Sequence, residues 1–359
     1  MKNISIFTGE ISESSGGIQN MAYNIYNKLK EDYNIKCFSE IENKNLKDDC
    51  IFYASSKENF ISRKYTLLKK SLRFRNDLNI SLTPSTAVIP YLLKKKNRTP
   101  YIVFIHGNQV YSDKKNLKYF VKRILLKNAS LIISNSSYTK EKCKQNYGDN
   151  LNISIINPPI NYKEIQYDTE INKNKKILFT VSRLEQRKGI HKVIESLPKI
   201  LKKYPNLKYK IAGKGNYKNT LVRLTKELNL ENAVEFLGFI TEEEKDYYLK
   251  EMDLFVMPSY EVEDENSVEG FGIVYLEANM YGKFVIGGNS GGVTDAIIPG
   301  KTGFLVDGKN PNAIADRVIY FFDSYNNKYQ YEKNCIKWAK EHDISIYIRK
   351  LNNYINDIL

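Results

Sequence analysis

The feature that most constrains this chain is a rhythm. Short runs rich in β-branched and aromatic residues, such as NISIFT from Asn3, YIVFIHG from Tyr101 and SLIISNS from Ser130, alternate with longer stretches whose apolar residues recur at helical spacing. The same alternation returns in KILFTVSRL from Lys176, LKYKIAG from Leu207, AVEFLGF from Ala233, DLFVMPS from Asp253 and KFVIGG from Lys283, with helices expected near 189–203, 217–229 and 241–250. Strand and helix in turn is the signature of a parallel sheet covered on both faces. The rhythm breaks once, in INPPINYKEIQYDTEINKNKK (156–176), where a Pro-Pro turn opens a polar stretch. The chain is therefore expected to be α/β, with two Rossmann-like, doubly wound domains facing a central cleft, the place where open α/β sheets bind ligands. The expected boundaries are 1–165, 166–340 and a C-terminal helix, 341–359, crossing back to the first domain.

Length agrees with two domains, because 359 residues exceed what one hydrophobic core organises. Four scattered cysteines, Cys37, Cys50, Cys143 and Cys335, have no metal-like or disulfide-like spacing. With no signal-peptide pattern and no long apolar run, a cytoplasmic protein is expected. Charge is uneven: residues 1–160 carry 26 Lys+Arg against 13 Asp+Glu, or +13, while residues 161–359 carry 29 against 28, or +1. Within the basic half, KKNLKYFVKRILLK (114–127) places Leu117, Phe120, Val121, Ile124 and Leu125 at helical spacing, with Lys118, Lys122 and Arg123 outside that stripe. A solvated helix face, an anionic membrane surface or lipid pyrophosphate, and nucleic acid are all compatible with it, and charge alone does not choose.

VEGFGIVYLEA (268–278) carries the chemistry. Two glycines open an apolar helical run, so backbone N–H groups around Phe271, Gly272 and Ile273 are expected at a helix N-terminus, where unpaired donors and the helix dipole favour a phosphate. Glu269 before the helix and Glu277 along it would accept hydrogen bonds from hydroxyls on either side. A diphosphate between two hydroxyl-rich rings is a nucleotide sugar. SRLEQRKG (182–189) adds Arg183 and Lys188 as cations for the diphosphate, and SSGGIQ (14–19) puts Gly16 and Gly17 directly after the first strand. IAGKG offers Gly213 and Gly215 but has Lys218 where a dinucleotide fingerprint has its third glycine. Each segment alone also fits a bland reading: a buried structural helix, a charged loop, a glycine turn.

Together these blocks resemble the retaining glycosyltransferases of family 4, which have the GT-B fold. EGFGIVYLE is similar to that family's two-glutamate signature, and SRLEQRKG, the GxG strand end, DLFVMPS, GGNSGGVTDAI and GKTGFLVD follow its surrounding blocks in order. In the first half only SSGGIQ and IHGN match well. The resemblance implies ribose binding by Glu277, contact with the transferred sugar by Glu269, diphosphate binding by Arg183 and Lys188, and a hydrogen bond from His106 near the anomeric carbon. Asp295 departs from the pattern, where relatives often carry Glu. His191 and His342 are assigned no role.

The implied reaction moves a sugar from a nucleoside diphosphate, UDP before GDP, to a hydroxyl of a glycan or lipid-linked acceptor in cell-surface polysaccharide or glycolipid synthesis. It retains configuration through a same-face, oxocarbenium-like displacement. Helix N-termini and side-chain cations would replace a metal, so no cofactor and no metal are expected. The expected partners are the donor, the acceptor and an anionic membrane surface against the basic first domain, with peripheral attachment to the inner face of the plasma membrane and no nucleic acid. Two rival readings stand beside it: another GT-B-like enzyme, such as a phosphorylase or epimerase, and a non-enzymatic binder of RNA or membrane.

Overall fold

The computed structural model describes residues 1–13, 17–55, 58–111, 116–165, 176–262, 266–324 and 328–359. The chain forms two compact units, Met1–Pro159 with Ile344–Leu359, and Ile160–Asp343. Of the polar stretch expected to link domains, residues 166–175 lie outside the described residues.

The first unit is built on strands β1 (Asn3–Thr8), β2 (Asn34–Ser39), β3 (Ile51–Tyr53), β4 (Leu78–Ser81), β5 (Tyr101–Ile105), β6 (Leu131–Ser134) and β7 (Ile153–Ile155). Helices α1 (Gly17–Leu29), α2 (Phe60–Ser71), α3 (Val88–Asn97), α4 (Leu117–Asn128) and α5 (Ser137–Tyr147) alternate with them. All pairings are parallel, in the order β3-β2-β1-β4-β5-β6-β7. Alternation along a strand sends neighbouring side chains to opposite faces, so β5 divides: Ile102 and Phe104 join one core layer, Tyr101, Val103 and Ile105 the other. Every residue of β5 is buried, as both faces are covered.

The second unit repeats the plan with β8 (Ile177–Val181), β9 (Lys208–Ala212), β10 (Val234–Gly238), β11 (Leu254–Met257), β12 (Phe284–Gly288) and β13 (Gly303–Val306), ordered β10-β9-β8-β11-β12-β13 and all parallel. Its helices are α6 (Ile190–Lys203), α7 (Lys218–Glu227), α8 (Glu242–Glu251), α9 (Ile273–Met280), α10 (Val293–Ala296), α11 (Pro311–Asp323) and α12 (Lys328–Lys340). On β12, Phe284 and Ile286 face one layer and Val285 the other. The last helix, α13 (Ile344–Ile358), returns to the first unit. There Tyr347, Ile348, Leu351 and Ile355 share a core with Met21, Ala22, Ile25, Tyr26 and Leu29 of α1. In each sheet the strand order reverses beside the first strand of the unit, between β1 and β4 and between β8 and β11, and ligands of open α/β sheets collect at the carboxyl ends of such strands.

Candidate active site

After β8 the chain closes a short 3-10 turn, Gln186–Lys188, ended by Gly189 before α6. The turn buries two cations, Arg187 and Lys188. Both reach one carboxylate oxygen: Arg187 Nη1 lies 2.8 Å from Glu269 Oε2, and Lys188 Nζ donates to the same atom. Arg187 Nε also donates to Glu185 Oε2 at 2.9 Å. Burial opposes ionisation of Glu269, but Lys188 and Arg187 outweigh it and hold its carboxyl down at about 2. Lys188 is itself pushed down, first by burial and then by Arg187, against the pull of Glu269. Three cations, Arg183, Arg187 and Lys188, meet two carboxylates, Glu185 and Glu269, so the loop after β8 keeps one positive charge in surplus to offer an anion.

Sequence reasoning paired Lys188 with Arg183; the structure gives Lys188 a different neighbour. The Arg183 side chain is 74% exposed and pairs with Glu185 at 2.8 Å, outside the buried corner. Arg187 was missed, and its signal is its place beside Lys188 in a turn too tight to send two long side chains to opposite sides.

Glu269 is held from behind. The loop after β12 passes against it, and the Gly292 N–H donates to the Glu269 carbonyl at 2.9 Å. Three residues on, Gly272 begins α9 with φ 92°, and a Cβ there would come within 2.4 Å of the Tyr275 ring, so only glycine makes this entry. No side chain caps α9 at Gly272; the Tyr275 N–H turns back to the Gly272 carbonyl at 3.0 Å, which leaves the N–H groups of Ile273 and Val274 as those aimed at an anion. Phe271 is buried and tilts against the His342 ring at 6.1 Å, so its backbone alone is placed to serve a ligand. One turn along α9, Glu277 Oε1 lies 3.0 Å from Lys245 Nζ, and Lys245 also pairs with Glu242 at 2.6 Å. Burial works against the charge on Lys245, yet Glu277 and Glu242 raise its pKa. Lys245 was also missed in the sequence, because α8 meets α9 only through tertiary packing.

Gly213 ends β9 at φ 134°, where a Cβ would stand 1.8 Å from the Ser182 carbonyl. The glycine lets the turn after β9 close on the loop after β8, and its N–H donates to the Gly238 carbonyl at 2.6 Å. In the first unit, Gly17 opens α1, and Gly16 lies outside the described residues. His106 follows β5 and donates its Nε2–H to the Leu82 carbonyl at 3.1 Å, at the carboxyl end of β4 beside the strand reversal. A carbonyl only accepts, so Nε2 carries the proton and Nδ1 is the ring's acceptor, turned toward the Gln109 backbone N–H in a capping box. Burial pushes His106 down to about 4, only partly offset by the Leu82 bond, so the ring is neutral near pH 7.

The family model described as glycosyl transferases group 1 matches residues 161–342, just over half of the 359 residues. A GDP-mannose-dependent alpha-(1-6)-phosphatidylinositol monomannoside mannosyltransferase of Mycolicibacterium smegmatis is 27% identical over 241 residues, covering 65% of this chain and 63% of that protein. A GDP-mannose-dependent monoacylated alpha-(1-6)-phosphatidylinositol monomannoside mannosyltransferase of Corynebacterium glutamicum is 31% identical over 199 residues, covering 52% and 51%. The chain thus spans between half and two thirds of the length of these curated relatives. Among solved structures, Anabaena HepE in complex with UDP superposes with a TM-score of 0.82 at 20% identity, over 99% of this chain and 100% of that one. Sucrose-phosphate synthase from Thermosynechococcus elongatus gives 0.81 at 17% identity, over 100% and 99%. These likenesses fix the fold as GT-B. The chain belongs to the glycosyl transferases group 1 family.

Proposed function

We propose that the protein is a retaining, metal-independent hexosyltransferase of family 4, moving a sugar from a nucleoside-diphosphate sugar to a hydroxyl of a glycan or lipid-linked acceptor in cell-surface polysaccharide or glycolipid synthesis. The observation that carries this reading is the pair of carboxylates on α9 and its entry, Glu269 against two buried cations and Glu277 one turn along the helix. In this reading Glu277 exchanges Lys245 for the ribose hydroxyls, and Glu269 accepts from the transferred sugar. The one surplus positive charge of Arg183, Arg187 and Lys188 over Glu185 and Glu269, with the start of α9, compensates the departing diphosphate, which takes the acceptor proton. His106, neutral near pH 7, serves a sugar hydroxyl near the anomeric carbon.

UDP is the proposed carrier, the nucleotide bound to the Anabaena structure. The names of the mannosyltransferase relatives make GDP the competing one. Calorimetric titration with UDP, GDP and ADP in EDTA decides between them. One nucleoside diphosphate should bind, and Glu277→Ala should weaken it by about 30- to 100-fold, the worth of one or two hydrogen bonds to a charged acceptor. Folded protein that binds none of the three, or binds only when a divalent ion is restored, overturns the proposal in that respect. The anomeric configuration of the product, read by NMR, tests retention separately.

A further inference from the structure

Three helices of the first unit, α2, α3 and α4, contain eleven Lys or Arg residues and no Asp or Glu. They also share one side of the sheet. Right-handed crossovers from β3 to β4, β4 to β5 and β5 to β6 all run toward the same edge and so fall on the same face. The cores agree: Leu67 of α2 packs with Ile89 and Leu93 of α3, and Tyr119, Leu125 and Leu126 of α4 cover Tyr101, Val103 and Ile105, while α1 and α13 cover the opposite face.

The outer surface of this layer is apolar as well as basic. On α4, Leu117, Phe120, Val121 and Ile124 are exposed, Leu117 by 75%. Their i, i+3, i+4, i+7 spacing makes one stripe roughly 100° wide, opposite the buried Tyr119 and Leu126 and bordered by the buried Leu125. Lys118 borders the stripe on one side, Arg123 and Lys127 on the other, all three exposed. On α2, Phe60 and Ile61 are 60% and 78% exposed, with Tyr65 beside them, and Leu92 is exposed on α3. Among the described residues of the second unit the exposed large apolar side chains are Phe239, Tyr247 and Tyr320, none of them aliphatic.

We infer that the α2–α3–α4 face docks on the surface of an anionic lipid bilayer, with the α4 stripe entering the headgroup boundary and Lys118, Arg123 and Lys127 holding acidic headgroups. A second copy of the chain is disfavoured as the occupant, since self-apposition would bring two acid-free basic layers together. Nucleic acid would satisfy the cations but has no use for Ile61, Leu117, Val121 and Ile124. A bilayer uses both, because aliphatic side chains gain by leaving water while flanking basic stems reach up to phosphates. Among the described residues no helix is long and apolar enough to cross a membrane, so α4 would lie in the interface.

Flotation of the full chain with vesicles tests this. Wild type should float with phosphatidylcholine–phosphatidylglycerol vesicles and stay behind with phosphatidylcholine alone. Lys118→Glu/Arg123→Glu should lower partitioning at least about tenfold, since each cation near an anionic surface is worth roughly fivefold. Phe120→Ser/Ile124→Ser should abolish the salt-resistant fraction. Both double variants should keep the wild-type melting temperature and nucleotide affinity, which separates loss of docking from misfolding and from failure of the donor site. No flotation, equal flotation with neutral vesicles, variants that float like wild type, or a dimer dispersed by Phe120→Ser/Ile124→Ser without lipid binding would each overturn the assignment.

Discussion

The two units share a plan and differ in where they keep their charge. The second unit is nearly neutral, with +1 of formal charge over residues 161–359, and folds its decisive cations inward: Arg187 and Lys188 are buried against Glu269, and Lys245 lies between Glu277 and Glu242. The first carries +13 over residues 1–160 and turns it outward on helices without a single acid. Its one described inward lysine pair of the same kind, Lys64 with Glu40, is closed off by the Ser85 carbonyl and the Phe60 ring. Buried charge needs matched partners and fixed geometry, which suits a small polar ligand. Exposed charge beside exposed apolar surface needs neither, and suits a broad soft one.

The sharpest way to break that contrast is Glu269→Ala. Removing the shared carboxylate leaves Lys188 buried beside Arg187, with Glu185 remaining as the partner of Arg187, and a buried pair broken from one side costs about 3–5 kcal/mol. Thermal denaturation should show it as a drop of many degrees. Because the folded pKa of Glu269 is depressed, the contribution is present above the ordinary carboxylate range and is lost as pH falls through that range toward about 2. A Glu269→Ala protein that melts with the wild type would mean the corner is solvated and its charges independent.

How much of this was legible beforehand follows the same division. Strand runs such as YIVFI and the buried β12 announce themselves, since both faces of a parallel strand must be apolar and composition alone carries that. Glu269 and Lys188, far apart in sequence, were both marked by local motifs, and the structure brings them onto one oxygen. Arg187 was not marked, because whether Arg183 or Arg187 turns inward depends on the 3-10 turn after β8, and no periodicity encodes a turn's handed path. The α4 stripe shows the limit most plainly. Helical spacing grouped Leu125 with Leu117, Phe120, Val121 and Ile124, yet α4 has a second apolar edge, Tyr119 with Leu125 and Leu126, and the sheet takes that one. Spacing defines a stripe; only packing says which stripe is inside.

A smaller effect compares one histidine from each unit. His106 and His191 are both held near 4, burial being the first cause in each, with Lys192 adding to it at His191. An unfolded histidine takes up its proton near 6.5, so between 6.5 and 4 the unfolded chain binds protons the fold refuses. Stability is therefore full above 6.5 and is lost as pH falls toward 4, by about 3 kcal/mol for each residue. Melting temperatures measured across that window should fall on acidification, and His106→Asn and His191→Asn should each remove about one proton from the slope. If only one substitution flattens the curve, the other ring is solvated.

The smallest effect is the most discriminating for the outer face of the first unit. Phe120→Ser/Ile124→Ser removes two large apolar side chains from a helix, which in a core would cost several kcal/mol, but both are exposed and neither belongs to the buried cluster of α4. The expected change in unfolding free energy by denaturant titration is within about 0.5 kcal/mol. Leu126→Ala on the same helix is the control; it empties buried volume and should cost about 2–5 kcal/mol. A stripe that large kept in water contributes nothing to the fold of the free chain, so whatever maintains it acts outside the monomer. If the double serine variant were instead as damaging as Leu126→Ala, the stripe would already be covered within the chain and the lipid-facing role of α4 would lose its basis.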